Sequence, residues 1–298
     1  MSGRVATFAG AGARLVGTWH GHAAPGRPPV LLLHGGGQTR HAFEGTARRL
    51  AAAGFAALAL DQRGHGGSEW PEDGHYAFAD FAADAAAVSD AASREAGVRP
   101  VAVGASLGGI AALMALGRDP HVFSGLVLVD VTPRMDPAGV DHVQGFMRAR
   151  AREGFATIEE AADAIAAYLP HRPRPSSLAG LRKNLRQDPD GRWRWHWDPR
   201  FLDGPRSVDR EREAVERELM AAARGLVVPT LLVRGRSSEL VSEVHADEFR
   251  ALAPAADYVD IAGARHMVAG DRNDAFSAAI LDFMERRFPP VPGASQGG

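Results

Sequence analysis

The sequence predicts an α/β fold: a mostly parallel, eight-stranded sheet, helices on both faces, and a mainly helical insertion after the sixth strand. Three observations carry this. Short runs that are apolar on both faces alternate with stretches of helical periodicity. The alternation stops after Pro133 and resumes near residue 226. Glycine-rich turns follow several of the runs, as at "LLLHGGG" and "DQRGHGGS".

Taken in order, "RVATFA" and "ARLVGTWHG" are split by "GAG" and read as an N-terminal hairpin. "PPVLLLHGGG" is a buried strand, and "HAFEGTARRLAAAGF" is a helix closed by Gly54. "FAALALDQRGHGGS" is a strand and then a loop. "YAFADFAADAAAVSDAASREAG" is an alanine-rich helix ending at Gly97. "RPVAVGAS", "LGGIAALMALGRDP" and "SGLVLVDVTP" continue as strand, helix, strand. The insertion holds two helical pieces, a proline cluster "PHRPRPSS", and the alternating stretch "GRWRWHWDPRF". After it come "VPTLLVRG", "SEVHADEFRALAP", "ADYVDIAG" and "DRNDAFSAAILDFMERRF" as strand, helix, strand, helix. The expected division is therefore 1–133 and 226–288 as two parts of one core, 134–225 as the insertion, and 289–298 as a loose tail.

Composition narrows the function. The chain has 298 residues, 45% apolar and 23% charged, with a formal net charge of -2. That is a globular profile without the basic surface that nucleic acid requires. Absence of cysteine removes disulfides, thiolate metal sites and a cysteine nucleophile. No run approaches the roughly 18 apolar residues of a spanning helix, and the N-terminus reads as neither signal nor anchor, so a cytoplasmic location is expected. His20 and His22 have H-x-H spacing but no third ligand nearby, so no metal is expected.

The chemistry centres on "VGASLGG", residues 103–109. A strand, a tight turn carrying a serine between glycines, and a helix together make a nucleophile elbow, which presents the hydroxyl of Ser106 at the carboxyl end of the sheet. The helix N-terminus behind it offers unpaired N–H groups to a developing oxyanion. Leu107 is the first expected oxyanion donor. Gly36, in "HGGGQ", is the second, since glycine lets backbone face the ligand. His266, after the last strand, is the expected base. The orienting acid lies between serine and histidine in the chain. Glu239 in "RGRSSELVS" is preferred, and Asp130 at the end of "LVLVD" is the alternative, read otherwise as fixing the start of the insertion. His34 is read as bracing its loop. Gly37, Met267, Trp195 and Trp197 are expected at the substrate pocket. Trp193, Trp195 and Trp197 alternate with polar residues and would share one face of an extended segment, as an anchor for the insertion or an aromatic wall.

"LLLHGGG", "DQRGHGGS", "VGASLGG", "LLVRGRSSE" and "GARHMVAGDRNDAF" together resemble the α/β-hydrolase superfamily, over about two thirds of the chain. The resemblance implies that 134–225 is a cap between the sixth and seventh strands. It implies that "DQRGHGGS", with Arg63 and His65, is structural. The pattern is similar to the haloperoxidase-like, epoxide-hydrolase-like and C–C hydrolase branches. Glu239 departs from the aspartate that many relatives carry. Serine at position 106 argues against the aspartyl chemistry of epoxide hydrolases and dehalogenases. The implied activity is a cofactor-free serine hydrolase acting on an ester or lactone of a small, largely apolar substrate. A C–C bond hydrolase of a diketone, a perhydrolase, and a small-molecule receptor on the same fold are the alternatives. The expected partner is a small-molecule substrate, with no nucleic acid or membrane; a homo-oligomer is compatible with this sequence.

Overall fold

In the computed structural model of the chain, residues 3–170, 178–208, 210, 212–266, 268 and 273–290 are described. Eight strands form one sheet: β1 (Arg4–Ala9), β2 (Arg14–His20), β3 (Val30–Leu33), β4 (Ala57–Asp61), β5 (Val101–Ala105), β6 (Gly125–Val129), β9 (Thr230–Gly235) and β10 (Asp257–Ile261). Their spatial order is β1-β2-β4-β3-β5-β6-β9-β10. β2 runs antiparallel to β1 and β4, and every other pairing is parallel. The two N-terminal runs thus form the expected hairpin.

Side chains along each central strand alternate between two apolar layers, as the period of a strand requires. Leu31, Leu33, Leu126 and Leu128 face one layer. Helices α2 (Phe78–Ala96), α3 (Leu107–Arg118) and α8 (Glu243–Leu252) cover it. Val30, Leu32, Val127 and Val129 face the other, covered by α1 (Glu44–Ala52) and α9 (Asn273–Arg287). Both faces are dry, so the strands read as continuous apolar runs.

Between β6 and β9 lie α4 (Pro137–Arg148), α5 (Ile158–Tyr168), a small hairpin of β7 (Leu185–Gln187) and β8 (Trp193–Trp195), α6 (Arg200–Asp203) and α7 (Arg212–Arg224). Through residue 208 this segment builds a third apolar cluster over the sheet's carboxyl end, joining Phe155, Trp195 and Phe201 to Tyr76, Phe81 and Leu107 of the core. The last helix differs. Leu219, Ala222 and Ala223 of α7 pack into the first layer beside α3. The expected insertion boundary at 225 therefore moves back to about 208, because α7 buries its narrow apolar stripe against the sheet's own helices.

The insertion is tied down by the loop after β4. Gly66 N–H donates to the His196 carbonyl at 2.8 Å and Asp198 N–H to the Gly64 carbonyl at 2.9 Å. His65 and Trp197 form an isolated β-bridge. The Tyr76 hydroxyl donates to Asp198 Oδ2 at 2.8 Å. Arg63, 2% exposed, holds Asp84 through both Nε and Nη2 at 2.7 and 2.8 Å, which satisfies two buried charges at once. The proline cluster from residue 171, Met267, and the tail from residue 291 lie outside the described residues.

Candidate active site

Ser106 stands between β5 and α3 with φ 45° and ψ -113°, one of three non-glycine residues with positive φ among those described. Such a conformation is costly for an L side chain and persists only where packing enforces it. The neighbouring glycines explain the enforcement. A Cβ on Gly104 would overlap the backbone of Gly108 and Gly109, and a Cβ on Gly108 would overlap the Leu33 carbonyl. Strand, turn and helix are pressed together, and the hydroxyl is pushed out at the carboxyl edge of the sheet.

Asp130 directly follows β6, the strand adjacent to β5, and also has positive φ, 49°. Its carboxylate is fully buried. Oδ1 accepts from the Gly235 N–H at 3.0 Å, and Oδ2 accepts from the Ser238 hydroxyl at 2.6 Å and from His266 Nδ1 at 2.8 Å. Three donors hold one buried charge in a fixed orientation. With Nδ1 engaged, Nε2 is the ring nitrogen left free, and His266 and Ser106 line one cavity.

The preferred acid, Glu239, is not at this site. The partner of His266 is Asp130, so the assignment is corrected to the alternative. Glu239 follows Ser238, whose hydroxyl turns inward to Asp130 and also accepts from the N–H groups of Leu240 and Val241 at 3.1 Å. That tight turn carries the Glu239 side chain away from the imidazole, toward Tyr168 of α5. Burial, with the Glu239 carboxylate beside it, pushes the Tyr168 hydroxyl up to about 12. The Glu239 carbonyl meanwhile packs so closely on α4 that a Cβ at Gly139 would overlap it.

The "HGGGQ" loop is built from both sides. The Gly35 N–H donates to Gln38 Oε1 at 3.2 Å and the Gly37 N–H to His65 Nε2 at 3.1 Å. Between them, the Gly36 N–H has no acceptor among the described residues. Leu107 is the first residue of α3, where a backbone N–H has no partner within the helix. Both residues line the cavity with Ser106. His34 Nδ1–H donates to the Gly35 carbonyl at 2.8 Å, while its Nε2 accepts from the Gln62 N–H at 3.1 Å. His65 Nδ1–H donates to the Arg63 carbonyl at 2.9 Å. Both rings are neutral braces. Burial, with His34 next to it, drives His65 down to about 3, and burial lowers His34 as well.

The cavity measures about 420 Å³. Apolar side chains dominate its wall, among them Ile110, Val143, Phe146 and Met147. Gly37, Trp195 and Trp197 line it too; Trp193 of the alternating stretch does not. Trp195 also anchors the insertion, edge-on to Phe155 at 5.2 Å between ring centres. Among the described residues no Arg, Lys, Asp or Glu lines this cavity. Three polar residues there were not singled out from the sequence: Gln38, in the glycine loop itself, Gln144 of α4, and Asn184, which nothing in its local sequence sets apart.

The family signature described as the alpha/beta hydrolase fold matches residues 28–272. The chain belongs to the α/β-hydrolase family. Among its relatives, an esterase of Mycobacterium tuberculosis, Rv0045c, is 30% identical over 229 residues, 76% of this chain and 70% of the relative. The 2-(acetamidomethylene)succinate hydrolase of Mesorhizobium japonicum is 30% identical over 261 residues, 87% of this chain and 88% of that one. A crystal structure of E-2-(acetamidomethylene)succinate hydrolase superposes with a TM-score of 0.80 at 25% identity, covering 95% of this α/β hydrolase and 99% of the other chain. This α/β hydrolase is accordingly a hydrolytic enzyme. Among its described residues no helix is long and apolar enough to cross a membrane.

Proposed function

We propose that this α/β hydrolase cleaves the ester or lactone bond of a neutral, largely apolar substrate through an acyl-enzyme on Ser106. The observation that carries the reading is the 2.8 Å contact between His266 Nδ1 and a buried Asp130, on a histidine that shares an uncharged cavity with an elbow serine. In this reading Nε2 of His266 takes the Ser106 proton as Oγ attacks the carbonyl carbon. The tetrahedral oxyanion accepts from the N–H groups of Leu107 and Gly36; one such donor contributes roughly 10²–10³-fold in turnover. Asp130 stays ionised, fixes the imidazole tautomer and stabilises the imidazolium. His266 returns the proton to the leaving alkoxide, and water repeats the sequence on the acyl-enzyme.

The uncharged wall supports a neutral acyl group. A relative's substrate named as a succinate carries carboxylates, and a desolvated carboxylate needs cationic partners. The described cavity residues supply none. Cavity size supports a small to medium substrate, within the usual range for small-molecule sites.

The test is a series of p-nitrophenyl esters of graded chain length, run beside small lactones and a ring-cleavage diketone, with an organophosphonate probe on wild type and Ser106→Ala. Ester turnover with Ser106-dependent labelling is expected, and Ser106→Ala should lose about 10³-fold or more. Turnover of the diketone alone would replace the ester reading with C–C bond hydrolysis.

A further inference from the structure

Two side-chain amides in the cavity have their oxygens committed and their nitrogens free. Gln38 Oε1 accepts from the Gly35 N–H at 3.2 Å. An N–H can only donate, so this contact fixes which end of the amide is oxygen. Asn184 Oδ1 accepts from the buried Thr39 hydroxyl at 3.2 Å. Gln38 Nε2 and Asn184 Nδ2 have no acceptor among the described residues, and both residues line the cavity with Ser106. The Gln38 amide is also close to the nucleophile. A Cβ at Gly35 would sit 3.4 Å from Gln38 Oε1 and 3.6 Å from Ser106 Cβ. Asn184 reaches the same loop from the insertion, through the residue that follows Gln38.

Free N–H donors on an apolar cavity wall favour a ligand that can accept from them in place of water. Their neutrality also selects the acceptor. A carboxylate would be buried without counter-charge, whereas a carbonyl oxygen has two lone pairs suited to two converging N–H groups. We propose that Gln38 and Asn184 form a donor pair for a second, neutral carbonyl oxygen close to the scissile bond, so that the substrate class is a keto- or acylamino-substituted ester or lactone. This rests on the hydrolase reading above and adds to it the polar group that the substrate must carry.

The experiment compares two pairs of esters, each rate divided by its hydroxide-catalysed rate: p-nitrophenyl 4-oxopentanoate with p-nitrophenyl pentanoate, and 2-oxopropyl acetate with propyl acetate. The expected result is a preference of about tenfold in kcat/KM for the keto ester in at least one pair, the scale of one hydrogen bond gained by a buried donor. Gln38→Glu and Asn184→Asp keep the oxygen that holds the loop and remove the donor. In each, the keto-to-alkyl ratio should fall toward one, and the neutral Asn184→Leu should lower it likewise. Such a ratio separates recognition from a loop-holding role, which would depress both members of a pair alike. Equal normalised rates within both pairs, or a keto preference that survives in all three variants, would overturn the inference while leaving the hydrolase reading intact. No turnover of the four esters, of the graded p-nitrophenyl esters or of the small lactones would overturn both.

Discussion

Asp130 Oδ2 and His266 Nδ1 lie 2.8 Å apart although 136 positions separate them in the chain. The contact forms because β6 and β10 end at the same edge of one parallel sheet. It makes Asp130 the candidate whose loss should be felt by the imidazole directly.

Asp130→Asn should lower turnover on an activated ester by about 10²–10⁴-fold with little change in KM, since the wrong tautomer is then favoured. Glu239→Gln should stay within a few-fold of wild type. Steady-state kinetics on both variants decides this; a greater loss in Glu239→Gln would reverse the assignment.

His65 gives an acid limb to stability. Its pKa is depressed in the fold, to about 3, so the folded state favours the neutral ring while the unfolded chain titrates near 6.5. The contribution is whole above about pH 6.5 and is lost as pH falls toward 3. Between pH 7.5 and 5.5 this single ring should remove about 1.4 kcal/mol of unfolding free energy. Urea denaturation at the two pH values should show the loss, and His65→Gln should show a smaller one. An equal loss in the variant would mean that other groups set the limb.

Gly108→Ala should destabilise by about 3 kcal/mol or more, because the added methyl would overlap the Leu33 carbonyl, a backbone atom that no rotamer change relieves. Thermal unfolding and soluble yield report it. A wild-type melting temperature would show that the elbow is looser than its packing indicates.

Trp195 both lines the cavity and packs on Phe155. Trp195→Phe should therefore shift the chain-length optimum of an ester series toward bulkier acyl groups, with a modest fall in melting temperature. A uniform loss across the series, proportional to destabilisation, would leave only the anchoring role.

The central strands were legible because they are buried on both faces, as at "VLLL" and "GLVLV", and few other patterns survive that burial. Ser106 was legible because its turn needs glycine at fixed offsets. The acid was not, for a physical reason. Asp130 and Glu239 both follow strands of the correct edge, and the choice depends on a positive φ at Asp130 and on the Ser238 turn. Neither leaves a residue signature, since aspartate and serine tolerate many loop conformations. The boundary of the insertion failed for a related reason. α7 announces itself as a helix, but its buried face is one leucine and two alanines, too little apolar content to say which neighbour it joins.

The hydrogen bond from the Gly235 N–H to Asp130 Oδ1 has a topological consequence. The chain leaves β6 at Asp130 and returns through β9, whose last residue is Gly235, so the carboxylate that orients His266 is also the clasp of a closed 105-residue excursion. Lengthening or shortening that excursion changes its closure entropy only logarithmically. The clasp keeps its register whatever the excursion contains, so the lid can be traded like a cartridge while the reacting groups stay where they are. A chimera carrying a relative's residues in place of 137–208 should still label at Ser106 with an organophosphonate; failure of a folded chimera to label would show that the lid sets the geometry of the site as well as its shape.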